Sequence, residues 1–279
     1  MAAYKVLVPL DGSPEAEEAL AYLPMLRTLG DLHVRLVAVA SSQPAHERDE
    51  RMHKNEETLK AYLTHQQLRL TADGEVEPVM RHGLPGPAIV GEARSFNADL
   101  ILMSSHGRLG LERWRLGSVT EKVARQAYTN VMVVPPGLEC ASEPISSILV
   151  PLDGSEAAEA AIEVGRALAV SWSAQLHLAH VIAPSTSSAD LRTSHSVLRD
   201  RAMAYLASKQ AGLHLTPEPT LAILSGQPQD LLRHYSESEH VGLIVLTGHG
   251  ASGSTVGLGR VADSILQGAK PVLLVRAPR

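Results

Sequence analysis

Residues 5–17 read KVLVPLDGSPEAE, and residues 147–159 read SILVPLDGSEAAE. In each stretch a short apolar run ends in Asp-Gly-Ser, and a segment rich in Glu and Ala follows. A short apolar run of Val and Leu predicts a buried strand, and serine is a preferred residue at the start of a helix. The sequence therefore predicts a strand–turn–helix unit that occurs twice in the chain.

The repeat extends well beyond these two stretches. ADLILMSSHG at 98–107 is echoed by VGLIVLTGHG at 241–250, and NVMVV at 130–134 is echoed by PVLLV at 271–275. The three matches occur in the same order and at nearly the same separation along the chain. Self-similarity at one fixed offset indicates a duplicated domain.

The boundary between the two copies is predicted in the segment PPGLECASEP at 135–144, because its prolines and glycine break regular structure. The predicted domains are 1–138 and 145–279. Each has roughly 140 residues, which is long enough for a domain to bury its own core.

Each half alternates predicted strands and helices. In the first half, the predicted strands are Tyr4–Leu10, Val34–Val39, Glu75–Arg81, Leu100–Ser104 and Val131–Val134. The predicted helices are Ser13 to about Leu29, about Glu47–Leu70, Pro85–Ser95 and Ser118–Gln126. Such alternation predicts parallel strands with right-handed crossovers. The predicted fold class is α/β, with two repeated, doubly wound, Rossmann-like domains, each an open and mostly parallel five-stranded sheet flanked by helices.

The composition excludes several classes of protein. The net charge is −5 and the pI is about 6.2, whereas nucleic-acid-binding domains usually have a basic face and a high pI. No apolar run approaches the roughly 18 residues of a membrane span, and no signal peptide is recognisable. The single cysteine excludes an intramolecular disulfide and fits a reducing compartment. We therefore expect a cytoplasmic protein that binds neither nucleic acid nor membranes.

The strongest chemical signal is the segment SSHGRLGLERWRLGSVTEKV at 104–123. A buried strand ends here, a glycine-bearing loop follows, and a helix is predicted to begin at Ser118. The backbone N–H groups of glycine loops and of helix N-termini bind phosphate. Alternatively, Ser118 and Glu121 fit an S-x-x-E capping box, which any helix start can use. The pattern alone leaves both interpretations open.

The combined pattern resembles the universal stress protein family. That family carries the nucleotide motif Gly-x2-Gly-x9-Gly-[Ser/Thr] between its fourth strand and fourth helix. Here Gly107, Gly117 and Ser118 match the last three positions, and Ser104 stands in place of the first glycine. The resemblance covers both halves and implies an ATP-binding protein with a regulatory role in the stress response.

The resemblance implies roles for residues at the base end of a nucleotide. Asp11 would accept a hydrogen bond from the adenine amino group, and Pro9 and Val39 would line the base pocket. Met103 and Ser104 would flank the nucleoside. For Asp11 the alternative is a turn residue, since Asp and Gly favour tight turns.

At the phosphate end, the resemblance implies that Gly107, Gly117, Ser118 and Val119 cradle the phosphates, mostly through backbone N–H groups. The implied cofactor is ATP, with magnesium as a companion ion and AMP or ADP as alternatives left open. We predict neither catalytic residues nor a metal site built from protein side chains.

The motif is degraded in the second half. Gly250 and Gly259 match, but only eight residues separate them, and Arg260 replaces the serine. Asp153 and Val181 still match the base end. We predict weak or altered nucleotide binding in this half, and the rival hypothesis is that Arg260 binds a phosphate directly.

The sequence favours a binding protein over an enzyme, because it contains no G-x-x-x-x-G-K-[ST] loop. At most we expect weak ATP hydrolysis. The alternatives are a nucleotide-independent scaffold that binds partner proteins and a slow ATPase. The resemblance also implies that the last strands, Val131–Val134 and Val272–Val275, pair within one molecule as a pseudo-dimer, and it leaves a homodimer of such chains open.

Overall fold

The computed structural model describes residues 3–40, 56–70, 74–105, 116–137, 144–184, 195–248 and 258–276. The chain divides into two compact units, Met1–Ser142 and Glu143–Arg279. In both units parallel strands alternate with helices, which confirms the predicted α/β fold class. No helix within these described ranges is long and apolar enough to cross a membrane.

The first unit is an open, parallel five-stranded sheet. Its strands are β1 (Tyr4–Pro9), β2 (Leu32–Ala40), β3 (Glu75–His82), β4 (Leu100–Ser104) and β5 (Asn130–Val134). Its α-helices are α1 (Pro14–Glu17), α2 (Leu23–Leu26), α3 (Glu56–Leu70), α4 (Pro85–Phe96) and α5 (Ser118–Gln126). The strand order is β3-β2-β1-β4-β5. The order reverses between β1 and β4, where doubly wound sheets bind ligands at the carboxyl ends of their strands.

The second unit repeats this topology. Its strands are β6 (Ser147–Leu152), β7 (Gln175–Ile182), β8 (Thr220–Ser225), β9 (Leu243–Thr247) and β10 (Val272–Val275). Its helices are α6 (Glu156–Trp172), α7 (His195–Ala211), α8 (Pro228–Ser238) and α9 (Arg260–Leu266). The parallel order is β8-β7-β6-β9-β10.

Helices cover both faces of the sheet, as β7 illustrates. His177 and His180 lie three positions apart on this strand, so their side chains point to opposite faces. His177 Nδ1 is 2.9 Å from the Tyr235 hydroxyl on α8, and the His180 ring meets the Tyr205 ring on α7 edge to face, 5.9 Å away. Helices α7 and α8 therefore cover opposite faces. Burial lowers the pKa of His177.

The helix predicted from Ser13 to Leu29 is not continuous, and this prediction is wrong. Ser13 does cap the first turn, since its Oγ accepts from the Ala16 N–H at 3.2 Å. However, the chain then alternates between α and 3-10 turns, with α1 and α2 as separate short helices. Pro24 is the physical cause, because it has no N–H to donate and its ring crowds the preceding turn. The second unit has Arg166 at the matching position, and there α6 runs unbroken over 17 residues.

The long helix predicted over Glu47–Leu70 is described in part. Helix α3 covers Glu56–Leu70 and packs on β2 and β3. Residues 47–55, also predicted to be helical, lie outside the described residues. The buried side chains of α3 include Leu59 and Leu63, which hold the helix on the sheet.

A buried ion-pair network joins α4 to the sheet. The Glu92 side chain is 1% exposed, lies 2.6 Å from Arg35 Nη1 on β2, and also pairs with Arg81 on β3. In the second unit the positions of Arg35 and Glu92 are held by His177 and Tyr235. An ion pair thus holds α4 to β2 in the first unit, whereas a hydrogen bond between histidine and tyrosine holds α8 to β7 in the second.

Candidate functional site

The residues predicted for the base end lie at one edge of the first sheet. Pro9 ends β1, Val39 is the next-to-last residue of β2, and Met103 and Ser104 end β4. Asp11 follows β1 by two residues. Because these three strands are parallel neighbours, their carboxyl ends meet at the same edge. The structure therefore brings the five residues to one edge of the sheet, which includes the point where the strand order reverses.

Asp11 forms the turn between β1 and α1. Its Oδ1 accepts hydrogen bonds from the Ser13 backbone N–H at 2.9 Å and from the Ser13 hydroxyl at 2.5 Å. Gly12 between them has a φ of 80°, which glycine adopts without strain. The turn role is thus present in the structure. The ligand role of Asp11 stays a prediction, and it is compatible with the turn because a carboxylate has two acceptor oxygens.

The second unit builds the same turn. Asp153 Oδ1 accepts from the Ser155 N–H at 3.0 Å and from the Ser155 hydroxyl at 2.6 Å, and Gly154 has a φ of 85°. Val181 is the next-to-last residue of β7, as Val39 is of β2. The base end of the predicted site therefore has the same backbone framework in both units.

The residues on the two sides of the loop between β4 and α5 are hydrogen-bonded to each other. The Gly117 N–H donates to the Ser105 carbonyl at 2.9 Å, and the Thr120 hydroxyl donates to the Ser104 carbonyl at 2.9 Å. Both ends of the loop 106–115 are therefore held at the carboxyl end of β4. Gly107, the remaining matched glycine, lies in this loop, outside the described residues.

The start of α5 differs from the predicted capping box. Gly117 is the N-cap, with φ −60° and ψ 143°, and Ser118 is the first helical residue. The Glu121 N–H donates to the Gly117 carbonyl at 2.8 Å and closes the first turn. The capping-box hypothesis is wrong because the capping residue is a glycine, which has no side chain to accept a bond. The backbone N–H groups of Ser118, Val119 and Thr120 precede the first helical bond and point out of the helix end.

This arrangement can hold an anion. Helix N-termini carry a partial positive charge, and outward-pointing N–H groups donate hydrogen bonds to phosphate oxygens. At the start of α5 these groups lie directly beside the carboxyl end of β4, where a ligand of a doubly wound sheet is expected.

The start of α9 in the second unit has the same backbone arrangement as the start of α5, but different side chains. The Gly259 N–H donates to the Gly248 carbonyl at 2.8 Å, and Gly259 is the N-cap of α9. Arg260 is the first helical residue and is exposed. Ala262 stands where the first unit has Thr120, so the hydroxyl that ties α5 to β4 has no counterpart on α9. Gly250 lies outside the described residues.

A cation that was not predicted from the sequence lies beside Gly248, at the carboxyl end of β9. Arg276 follows β10, and its guanidinium packs against Gly248. A side chain at Gly248 would meet it, because a Cβ there would lie 3.0 Å from Arg276 Nη1. Burial lowers the pKa of Arg276. The matching position in the first unit is Pro135, so the two sites differ in the charge that surrounds them.

Two tyrosine–glutamate hydrogen bonds near the Asp-Gly-Ser turns were also not predicted from the sequence. The Tyr62 hydroxyl donates to Glu17 Oε1 at 3.0 Å, and the Tyr205 hydroxyl donates to Glu159 Oε1 at 3.0 Å. The repeat contains the signal, because these residues recur at the offset of the two domains in a chain with only six tyrosines.

The Tyr62 hydroxyl is held as a neutral donor. Burial raises the pKa of Tyr62, as do the charge of Glu17, the hydrogen bond to Glu17 and the charge of Asp11, while Arg69 lowers it. The acceptor, Glu17, is the last residue of α1, the short helix that follows the Asp-Gly-Ser turn. Tyr62 therefore links α3 to the helix that follows this turn.

Comparison with known proteins supports the resemblance to the universal stress protein family. The universal stress protein family profile matches residues 3–135 and 144–276. A universal stress protein of Methanocaldococcus jannaschii is 29% identical over 151 residues, covering 47% of this chain and 93% of its own length. A second one from that organism is 30% identical over 138 residues, covering 47% of this chain and 81% of its own.

The fold comparison extends over both units. The crystal structure of a universal stress protein from Archaeoglobus fulgidus matches 99% of each chain with a TM-score of 0.75 and 21% identity, which shows a shared fold. The family profile matches twice and covers nearly the whole sequence. The chain therefore belongs to the universal stress protein family, as a tandem of two such domains.

Proposed function

We propose that the chain is a cytoplasmic adenine-nucleotide-binding protein with a regulatory role in the stress response, and that its first domain binds ATP. The observation that carries the proposal is the glycine-capped start of α5 beside β4. The N–H groups of Ser118, Val119 and Thr120 offer donors to phosphate oxygens, and no side chain on the N-cap competes for them.

In this proposal the adenosine lies along the carboxyl edge of β2, β1 and β4. Asp11 accepts a hydrogen bond from the adenine amino group, Pro9 and Val39 line the base, and Met103 and Ser104 flank the nucleoside. Two strand intervals span about 10 Å, a distance that one nucleoside can bridge. The phosphates then reach the start of α5.

At the phosphate end, Gly107, Ser118 and Val119 bind through backbone N–H groups, and a magnesium ion accompanies the triphosphate. Gly117 donates its own N–H to Ser105, and its lack of a side chain lets a phosphate approach closely. AMP and ADP would occupy the same base end with fewer phosphate contacts. We expect them to bind more weakly than ATP, because each charge-assisted hydrogen bond to phosphate adds to affinity.

The second domain is proposed as the weaker site. Asp153, Val181, Gly250 and Gly259 match the first domain, but Arg260 replaces the serine at the helix start. A cation at this position opposes the helix dipole unless an anion offsets it. An Arg260→Ala variant that lost nucleotide from this domain would support direct phosphate binding by Arg260, whereas unchanged binding would exclude that role.

Calorimetric titration of the full chain with ATP, ADP and AMP tests the proposal. We expect one tight site per chain, with ATP bound best, and GTP serves as the control for base recognition. Failure of every adenine nucleotide to bind at millimolar concentration would instead favour the nucleotide-independent scaffold. A turnover number above about 1 per second would favour an enzyme, since that rate is ordinary for enzymes.

The pairing of the last strands within one molecule, and the homodimer, stay predictions. The proposal does not depend on either, because every residue assigned to the first site belongs to the first domain.

A further inference from the structure

The two units differ at their outer edge strands, β3 and β8. Within the part of the chain that the structure describes, β3 pairs with β2 alone and β8 pairs with β7 alone. The two strands hold the same place, because Arg81 aligns with Val39 of β2 as Leu224 aligns with Val181 of β7. An edge strand has a row of backbone N–H and C=O groups that its own sheet does not use. The two edges can therefore be compared position by position.

Strand β3 has the features that keep other strands away. Pro78 lies in its interior and has no N–H to offer a further strand. Its charged or titratable side chains are Glu75, Glu77, Arg81 and His82. Proline and charged side chains are means by which proteins protect an exposed edge from pairing. The edge of the first domain is thus protected.

Strand β8 has none of these features. It reads TLAILS, without a proline or a charged residue. Leu221 holds the position of Pro78, and Leu224 holds the position of Arg81. Leu221, Ile223 and Leu224 are all half-buried, so their apolar side chains are partly open to solvent. An uncharged, apolar edge strand is a template for pairing with another strand.

The helix beside each edge shows the same difference. Gln210 on α7 donates from Nε2 to the Pro219 carbonyl at 2.8 Å, directly before β8. Met203 lies seven residues earlier, which is about two helical turns, so it lies on the same side of α7, and it is 42% exposed. In the first domain Gln67 donates to a carbonyl of β3, and the exposed Lys60 lies seven residues before it. An apolar side chain thus flanks β8 where a lysine flanks β3.

A second copy of this chain fits the edge of β8. Two copies of one strand pair antiparallel about a two-fold axis, and each residue then faces a residue from the same side of the sheet. In β8, Leu221 and Ile223 lie on one side and Leu224 lies on the other, so apolar side chains meet and no charge is buried. The same pairing of β3 would lose a donor at Pro78 and would bury charged side chains. Because both copies use the same surface, the pairing closes at two chains.

We propose that β8 is an interaction surface at which two copies of this chain pair their second domains edge to edge, with antiparallel strands and with Met203 packed beside them. The inference goes beyond the proposed nucleotide site and is independent of it, since none of the residues that carry it is assigned to that site.

Sedimentation equilibrium of the full chain over a range of concentrations tests the proposal. We expect the 29.8 kDa chain to convert to a dimer, and to no larger species, as the concentration rises. Leu221→Pro is expected to weaken the association about tenfold or more, because it removes an edge donor and its ring obstructs the approaching strand. Leu224→Arg would place a charge in the interface and is expected to weaken it by about as much.

Both substitutions are expected to preserve the fold, because the first domain has the same residues in the same places. Pro78 lies within an intact β3, so the sheet does not need an N–H at this position. Thermal unfolding of each variant checks this expectation. The matched control is Val170→Arg, which puts the same charge at an apolar residue that is 57% exposed on α6. It is expected to leave the association unchanged.

Hydrogen exchange of the unmodified chain keeps the proposal testable if a variant fails to fold. We expect slower exchange in residues 220–225 at high protein concentration than at low concentration, and no such change in residues 75–82 of β3. A chain that stays monomeric at every concentration would contradict the proposal. Association that neither substitution at β8 weakens would contradict it as well, and so would a dimer without protection at 220–225 or an assembly larger than a dimer.

Discussion

Replacing Ser118 with proline is expected to weaken ATP binding by the first domain about tenfold to a hundredfold, while α5 stays intact. Proline is favoured at the first position of a helix, and it requires an extended residue before it. Gly117, with φ −60° and ψ 143°, already has that conformation. In the described part of the chain, helices begin in this way at Pro14, Pro85 and Pro228.

The expected loss follows from the donors that proline removes. Ser118→Pro deletes one backbone N–H and one hydroxyl at the helix start, and a hydrogen bond to a charged group contributes about 1.5–3 kcal/mol. Each 1.4 kcal/mol corresponds to about a tenfold change in affinity. Calorimetric titration with ATP measures the change directly.

Glu156→Pro is the matched control. Glu156 is the first residue of α6 and follows Ser155, whose φ of −82° and ψ of 146° are also extended. Proline there should preserve its helix without touching the first domain, so ATP binding by that domain should not change. If Ser118→Pro bound ATP as tightly as the parent, the start of α5 would not be the phosphate site.

Replacing Glu92 with leucine is expected to lower the free energy of unfolding of the first unit by about 3 kcal/mol. Removing one partner of a buried ion pair costs about 3–5 kcal/mol, because the other charge stays buried. Arg35 would keep its pair with Glu77, at 2.6 Å, and Arg81 is partly exposed. The loss should therefore lie at the low end of that range.

Hydrogen exchange of β2 and α4 in increasing urea measures this stability for the first unit alone, which matters because a chain of two units need not unfold in one step. The control is Glu163→Leu, whose exposed pair with Arg166 should contribute less than about 1 kcal/mol. Equal losses in the two variants would mean that the Glu92 network contributes no more than a surface pair.

The sequence predicts the sheet well because its signals are local. Apolar runs mark the strands, and β4 and α5 begin and end where the pattern places them. The duplicated Asp-Gly-Ser turn is equally visible, since Asp, Gly and Ser each favour that geometry for their own chemical reasons.

Features that depend on contacts between distant residues could not be predicted in this way. Nothing in the local sequence pairs Tyr62 with Glu17, or Glu92 with Arg35, because these partners meet only once the sheet has formed. The prediction that failed at Ser118 has a different cause. The same Ser-x-x-Glu pattern also occurs where the serine is the first helical residue and the residue before it is the N-cap. Local sequence places the start of a helix only to within one or two residues.

Hydrogen exchange of the unmodified chain, with and without ATP, shows whether the start of α5 binds the phosphates. The N–H groups of residues 118–120 precede the first helical bond of α5 and should exchange quickly in the free protein. Phosphates bound there would slow their exchange. We predict ATP-dependent protection at 118–120 and weaker protection at 260–262, the matching segment of the second domain. Binding of ATP without protection at 118–120 would contradict phosphate binding at the start of α5.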